Sequence, residues 1–119
     1  MTLARAFVLL VALEHVWILV LEMFLWTRPL GRKVFRTTPS QAEATRVLAA
    51  NQGLYNGILA AGLFWSLWIA EPVHAMATQK FFLGGVAVAG VYGGWTVNKR
   101  IFFVQAGPAF VGLAALLYS

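Results

Sequence analysis

The chain contains no cysteine, and aspartate is also absent from its 119 residues. Without thiols there is no disulfide, no thiolate metal site and no thiol redox chemistry. The sequence also lacks a Gly-x-Ser-x-Gly motif and the glycine-rich loops that bind nucleotide phosphates. These absences argue against nucleophilic catalysis by cysteine or by a serine triad, and no cofactor is predicted.

Charged residues make up only 11% of the chain, against about a quarter in soluble domains. Hydrophobic residues reach 61%, so the composition predicts an integral membrane protein in contact with the lipid bilayer. The length leaves room for a single domain over residues 1–119. The net charge of +5 fits basic loops on one side of a membrane, and no nucleic-acid partner is expected.

Four apolar stretches predict an all-α fold, an integral membrane bundle of four antiparallel helices with short loops. A loop from Glu71 to Lys80 is expected between the second and third spans. Pro108 lies inside the last span, where it should bend the helix. The predicted spans cover residues 3–26, 45–70, 81–97 and 101–118.

The segment between the first two spans combines helix-breaking and helix-starting signals. Pro29 and Gly31 predict that residues 27–40 form a loop. The run Thr38-Pro39-Ser40-Gln41 then matches a capping box, with threonine as the cap, proline at the first helical position and glutamine as the partner. We therefore expect the second helix to begin at this proline and to continue to the end of the second span.

The positive charges predict an orientation in the membrane. Seven lysines and arginines lie in or beside the first and third loops, whereas two, Arg5 and Lys80, lie on the other side. Because cytoplasmic loops carry the excess of positive charge, we expect residues 27–40 and 98–100 in the cytoplasm and both termini outside. The expected location is the inner (plasma) membrane of the cell, crossed several times.

The run Asn51-Gln52-Gly53-Leu54-Tyr55-Asn56-Gly57 places four hydrogen-bonding side chains and two glycines at the head of the second span. On a helix the polar side chains fall within an arc of roughly 140°, and the glycines point to the opposite side. Polar groups at membrane depth need partners, so we expect this polar arc to meet the first span. The glycine side should suit close contact with another helix, within the bundle or in a homodimer.

The first span carries Glu14, His15 and Glu22, and intramembrane ionisable groups commonly mark functional sites. His15 and Glu22 lie two turns apart on one stripe of the helix, a rise of about 10 Å. One interpretation is an internal polar network that fixes helix packing, and the other is a ligand, proton or ion site. The spacing is too long for a metal ion held by this helix alone, so no metal site is predicted.

A pocket that recognises a small molecule through several hydrogen bonds would use the same side chains. Tyr92 and Gln105, on the third and fourth spans, are expected as further partners. The catalytic candidates are Glu14, His15 and Glu22, and the predicted ligand-binding residues are His15, Glu22, Asn51, Gln52, Tyr55, Asn56, Tyr92 and Gln105. The alternative interpretation of the amides is a hydrogen-bond zipper between spans.

Four runs spread over the chain carry a family resemblance: Glu22-Met23-Phe24-Leu25-Trp26, the run from Asn51 to Gly57, Ala89-Gly90-Val91-Tyr92-Gly93 and Gln105-Ala106-Gly107-Pro108-Ala109. They resemble motifs of a family of small, mostly bacterial membrane proteins catalogued as a domain of unknown function. The resemblance covers nearly the whole chain and implies four membrane spans. Some members carry an epimerase label, but the family supplies no reaction.

The sequence leaves three function classes open. The leading hypothesis is a protein that binds or transports a small polar or amphipathic molecule, with proton coupling as one form of it. The second is a membrane-embedded acid–base enzyme of the isomerase type, acting on a lipid-type substrate. The third is a structural or accessory membrane subunit whose polar groups serve assembly.

Overall fold

The computed structural model of the chain describes residues 2–118, and 86% of the chain is helical with no strand in this range. The predicted all-α class is therefore confirmed. The α-helices are α1 (Leu3–Met23), α2 (Pro29–Phe35), α3 (Pro39–Ala44), α4 (Arg46–Trp68), α5 (Pro72–Thr96), α6 (Lys99–Ile101) and α7 (Gly107–Leu117). A π-helical turn, Phe102–Ala106, joins α6 to α7.

The chain divides into two compact units. The central unit is Glu14–Ile58, and the terminal unit combines the chain up to Leu13 with the chain from Leu59 onward. The central unit therefore holds the second half of α1, all of α2 and α3, and the first half of α4. The terminal unit holds the remainder of α1 and α4 together with every later element.

The terminal unit has an apolar core to which α1, α4, α5 and α7 all contribute. Val8, Leu63 and Leu83 are fully buried in this core. The backbone of α5 also comes close to the π-helical turn, because a Cβ at Gly90 would lie only 2.6 Å from the Ala106 nitrogen. This contact requires a residue without a side chain at position 90.

Polar side chains of the terminal unit bond to the C-terminal end of α4, where the last carbonyls of a helix lack intrahelical donors. Arg5 Nη2 donates to the Leu67 carbonyl at 3.0 Å, and Gln79 Nε2 donates to the Ser66 carbonyl at 3.5 Å. The Ser66 hydroxyl donates to the Leu63 carbonyl at 2.6 Å. Gln79 is thus a partner of a helix end, whereas Ser66 satisfies its hydroxyl within its own helix.

A π-helical turn ends two residues before Pro108, the proline for which the sequence predicts a bend. The Gly107 N–H donates to the Phe102 carbonyl, five residues back, which is the π-helical pattern. The next donor in that register would be Pro108, which has no N–H, so the pattern stops there. The expected disturbance at this proline thus takes the form of one widened turn.

The expectation of a loop over residues 27–40 is wrong, because Pro29 begins a helix instead of preventing one. Proline at the first helical position loses no intrahelical hydrogen bond. Gly31 lies inside α2, where a Cβ would overlap the Leu25 carbonyl oxygen, so α2 packs directly on the preceding backbone. The helix ends at Arg36, whose φ of 56° is left-handed.

The loop expected from Glu71 to Lys80 is also wrong, for a similar reason. The Glu71 carboxylate caps α5 by accepting from the backbone N–H groups of Val73 and His74, each at 2.9 Å. Pro72 takes the first helical position. The chain is therefore helical from this proline onward.

The predicted capping box is confirmed. The Thr38 hydroxyl accepts from the Gln41 N–H at 3.1 Å, and Gln41 Oε1 accepts from the Thr38 N–H at 2.9 Å. The helix begins at Pro39 as expected, but it is interrupted at Thr45, where φ is −108°. The Thr45 hydroxyl donates to the Gln41 carbonyl at 2.7 Å, and such side-chain bonds often bend helices.

Two helical stretches of the described chain are long and apolar enough to cross a membrane. They are Leu3–Met23, with 21 residues, and Lys99–Leu117, with 19 residues. By the same measure α4 and α5 do not qualify. These findings point weakly to membrane association, and the four-span bundle stays a prediction.

Candidate functional site

Glu22 and Asn56 form a partly buried polar contact in the central unit. Asn56 Nδ2 donates to Glu22 Oε1 at 2.6 Å, which ties α4 to α1. Glu22 is only 6% exposed, so its carboxyl group is largely removed from solvent. The structure thus brings together one acidic residue of the first predicted span and one amide of the second.

Glycine determines which side of α4 meets α1. A Cβ at Gly53 would lie 2.7 Å from Met23 Cγ and 3.1 Å from Glu22 Cβ, and one at Gly57 would overlap another α1 side chain. The glycine side of α4 therefore packs on α1. At 100° per residue Asn56 lies about 60° from Gly53, near enough for its amide to reach Glu22.

The rest of the polar arc does not share this contact. Asn51 and Tyr55 each lie about 160° from Gly53 around the helix. Both are exposed, as is Gln52, and Asn51 Nδ2 donates to the Val47 carbonyl of its own helix at 2.9 Å. The expectation that the whole arc would meet the first span is therefore wrong, while the role of these three residues in ligand binding stays a prediction.

The other ionisable residues of α1 are buried to different degrees. His15 is 1% exposed and precedes Glu22 by seven residues. Glu14 is partly exposed, but its Oε1 atom is buried and has no hydrogen-bond partner within residues 2–118. A buried acceptor without a donor costs about 1–3 kcal/mol, so this oxygen offers an open position to a donor group or a proton.

Tyr92 and Gln105 belong to the terminal unit. Tyr92 is 65% exposed on α5, and Gln105 is partly buried within the π-helical turn. Their predicted role as ligand partners stays a prediction.

The side chains of the central unit offer hydrogen bonding and proton transfer. The Glu22 carboxyl group and the Asn56 amide present acceptors and a donor side by side. Across the described chain, no group of three or more histidine, aspartate, glutamate or cysteine residues could hold a metal ion.

A groove of about 430 Å³, which was not predicted from the sequence, lies beside the start of α4. Trp26 forms one wall, and its Nε1 donates to the Ala42 carbonyl and to Thr45 Oγ1, each at 3.1 Å. The other lining residues are Thr37, Gln41, Thr45, Leu48, Ala49 and Gln52. Gln52 is one of the predicted ligand-binding residues. Trp26 is the last residue of the run that begins at Glu22, and this run is the feature of the sequence that points to Trp26.

Comparison with known proteins identifies the family of the chain. The family model described as "Protein of unknown function (DUF1304)" matches residues 9–117. The chain is 30% identical over 112 residues to the uncharacterized protein YpaA of Lactococcus lactis subsp. lactis (strain IL1403), and the match covers 92% of each chain. No solved structure matches the chain. The protein therefore belongs to the DUF1304 family of proteins of unknown function, which confirms the family resemblance of its sequence.

Proposed function

We propose that this protein crosses the bacterial inner membrane several times and binds a small polar or amphipathic molecule at a buried polar site. The four spans would be α1, α4, α5 and the stretch from α6 to α7. The observation that carries the proposal is the hydrogen bond from Asn56 to the buried Glu22, which lies on a helix apolar enough to cross a membrane. Ionisable side chains in such helices commonly mark ligand, ion or proton sites.

Ligand binding explains this site better than helix packing alone. A hydrogen bond between membrane helices contributes only about 0.6–2 kcal/mol, and the close contact at Gly53 already joins α1 to α4. A polar network that served only helix packing would give each of its buried polar atoms a hydrogen-bond partner. Glu14 Oε1, however, is buried without such a partner in the described chain. We infer that Glu14, Glu22 and Asn56 face the ligand, with His15 on the same helix.

A protein that crosses the membrane several times can also transport the ligand that it binds. Proton coupling would use Glu22 or Glu14 as the group that gains and loses the proton. An acid–base enzyme would use the same carboxyl groups together with His15. The two functions differ in the fate of the ligand, which is moved unchanged by a transporter and converted by an enzyme.

The first experiment is native mass spectrometry of the protein released from mild detergent, with Glu22→Gln, Asn56→Ala and Asn51→Ala beside the wild type. We expect a discrete co-purifying mass that falls at least about tenfold in the first two variants, since each loses a polar group that faces the site. Asn51→Ala is the matched comparison. It removes the same kind of side chain from the same helix, but one that bonds to the Val47 carbonyl. Asn51 was predicted as a ligand-binding residue, but its exposure leads us to propose that it does not face this site, so the mass should persist in this variant.

A wild-type chain without a co-purifying mass, or a mass that persists in Asn56→Ala, would contradict ligand binding at Glu22 and Asn56. Circular dichroism and the particle size in detergent show whether a variant has lost its ligand or its fold. Once the mass is known, uptake into liposomes that stops in Glu22→Gln indicates transport, and chemical conversion indicates an enzyme. Variants that misassemble around an empty site would favour the structural subunit.

The proposed topology places residues 27–40 and 98–100 in the cytoplasm and both termini outside. Because the chain has no cysteine, a single introduced cysteine reports its side of the membrane directly. Lys33 and His74 are both exposed and suit this test. We expect a membrane-impermeant maleimide to label His74→Cys in intact cells and to reach Lys33→Cys only after lysis. The reverse pattern would overturn the orientation.

A further inference from the structure

We propose a second site, in which the segment from Trp26 to Thr45 binds the phosphate headgroup of an anionic membrane lipid. This inference rests on the membrane location proposed above, but it does not depend on the Glu22–Asn56 pair. The segment combines a fixed basic helix, an arginine in an unusual backbone conformation and a groove with polar and apolar walls. A phosphate ester at a membrane surface matches all three features.

The positive charge of this segment is concentrated, and its one acidic residue, Glu43, pairs with Arg46 outside the segment. Its four cations are Arg28, Arg32, Lys33 and Arg36, and no acidic residue lies between Glu22 and Glu43. Within residues 2–118 none of the four forms an ion pair, whereas Arg46 pairs with Glu43 at 3.4 Å. Clusters of this kind beside a membrane helix attract anionic headgroups.

The basic helix is held in place by packing. Gly31 lets α2 lie directly on the Leu25 carbonyl, and the ring centroids of Trp26 and Phe35 are 4.8 Å apart. The indole N–H also bonds to the Ala42 carbonyl, which connects this arrangement to α3. A fixed cluster loses less conformational entropy on binding than a flexible one, so α2 is preorganised for a headgroup.

Arg36 adopts a backbone conformation that L residues rarely use. Its φ of 56° and ψ of 48° are left-handed, and within residues 2–118 no other non-glycine residue has a positive φ. Glycine commonly occupies this position after a helix, because a Cβ is unfavourable there. Strained backbone is often retained where the side chain has a function, such as binding a ligand. The guanidinium group of arginine can donate two parallel hydrogen bonds to two oxygens of one phosphate group.

The groove begins at Thr37, the residue after Arg36. Its apolar walls are Trp26, Leu48 and Ala49, and its polar walls are Thr37, Gln41, Thr45 and Gln52. Thr37 Oγ1 is buried and has no hydrogen-bond partner in the described chain, so it can donate to a phosphate oxygen. Such a lining suits the junction between a headgroup and its acyl chains, the depth at which tryptophan is enriched.

The test measures lipid binding to the full-length protein in detergent by native mass spectrometry, with phosphatidylglycerol and phosphatidylcholine as probes. We expect the wild type to retain phosphatidylglycerol preferentially and Arg36→Gly to lower its retention about fivefold, the effect of one cation beside an anionic surface. Glycine suits the left-handed backbone, so this variant should keep its fold. Thr37→Val should also weaken retention. Arg100→Gln removes a cation from another basic turn and should retain the lipid as well as the wild type.

Equal retention of both lipids, or full retention in Arg36→Gly and Thr37→Val, would overturn the site. Release of phosphatidylglycerol by excess inorganic phosphate would show that the site takes soluble phosphates and would overturn the lipid assignment. Alkaline carbonate extraction of reconstituted vesicles separates this inference from the proposed membrane location. Extraction of the chain from the vesicles would overturn the membrane location. A chain that stays in the vesicles but does not retain phosphatidylglycerol preferentially would overturn the lipid site alone.

Discussion

Replacing Gly90 by alanine should lower the free energy of unfolding by about 3 kcal/mol. The new Cβ would lie 2.6 Å from the Ala106 nitrogen and 3.0 Å from the Ala106 Cα. Both atoms belong to the backbone, which cannot rotate away as a side chain does, so α5 and the π-helical turn would have to separate. Unfolding of the detergent-solubilised protein in sodium dodecyl sulfate, followed by far-ultraviolet circular dichroism, would measure the loss.

Gly85→Ala is the matched control, because Gly85 lies on the same helix and an added Cβ would meet nothing within 4 Å. Alanine is favoured over glycine in helix interiors by up to about 1 kcal/mol, so we expect this variant to equal or exceed the wild type in stability. Equal losses in the two variants would show that the contact at Ala106 is not the cause.

Gly31→Ala should also lower the free energy of unfolding by about 3 kcal/mol, and it should release α2 from the chain that precedes it. The added Cβ would overlap the Leu25 carbonyl oxygen and approach the Trp26 Cα at 3.1 Å. Displacing α2 would also part Trp26 from Phe35. Because α2 carries an arginine and a lysine, limited trypsinolysis read by mass spectrometry should show faster cleavage inside it.

Gly107→Ala is the control for this experiment, since an added Cβ there meets nothing within 4 Å and the residue lies outside α2. Its cleavage pattern in α2 should match that of the wild type. A Gly31→Ala protein that is as stable and as resistant as the wild type would contradict the close packing on Leu25. Retention of phosphatidylglycerol should fall in Gly31→Ala as well, because the basic helix would no longer be fixed.

The sequence predicted local structure where neighbouring residues decide it. The capping box of Thr38 and Gln41 is confirmed because both partners lie within one turn. Proline was harder to interpret, because it breaks a helix when it lies in the interior but is favoured at the first helical position. At Pro29 and Pro72 the second effect decides, and both expected loops are largely helical.

The candidate site depended on information that is not local. The polar arc, the glycines and the need for partners were all visible in the sequence, so a contact between Glu22 and the arc could be predicted. Which side of α4 meets α1 depends on how the Met23 side chain fits against Gly53 and the Leu19 side chain against Gly57. That fit is a property of the packed pair, and for this reason the outward placement of Asn51 could not be predicted.

The π-helical turn at Phe102–Ala106 has a consequence for how the gene can vary in length. A π turn holds one more residue than an α turn, so it is the form that a single-codon insertion takes within a helix. A relative one residue shorter here would have a regular helix and would keep the buried face of α7. In such a helix proline at position 108 would clash with the carbonyl four residues back. The additional residue and Pro108 should therefore be gained or lost together during evolution.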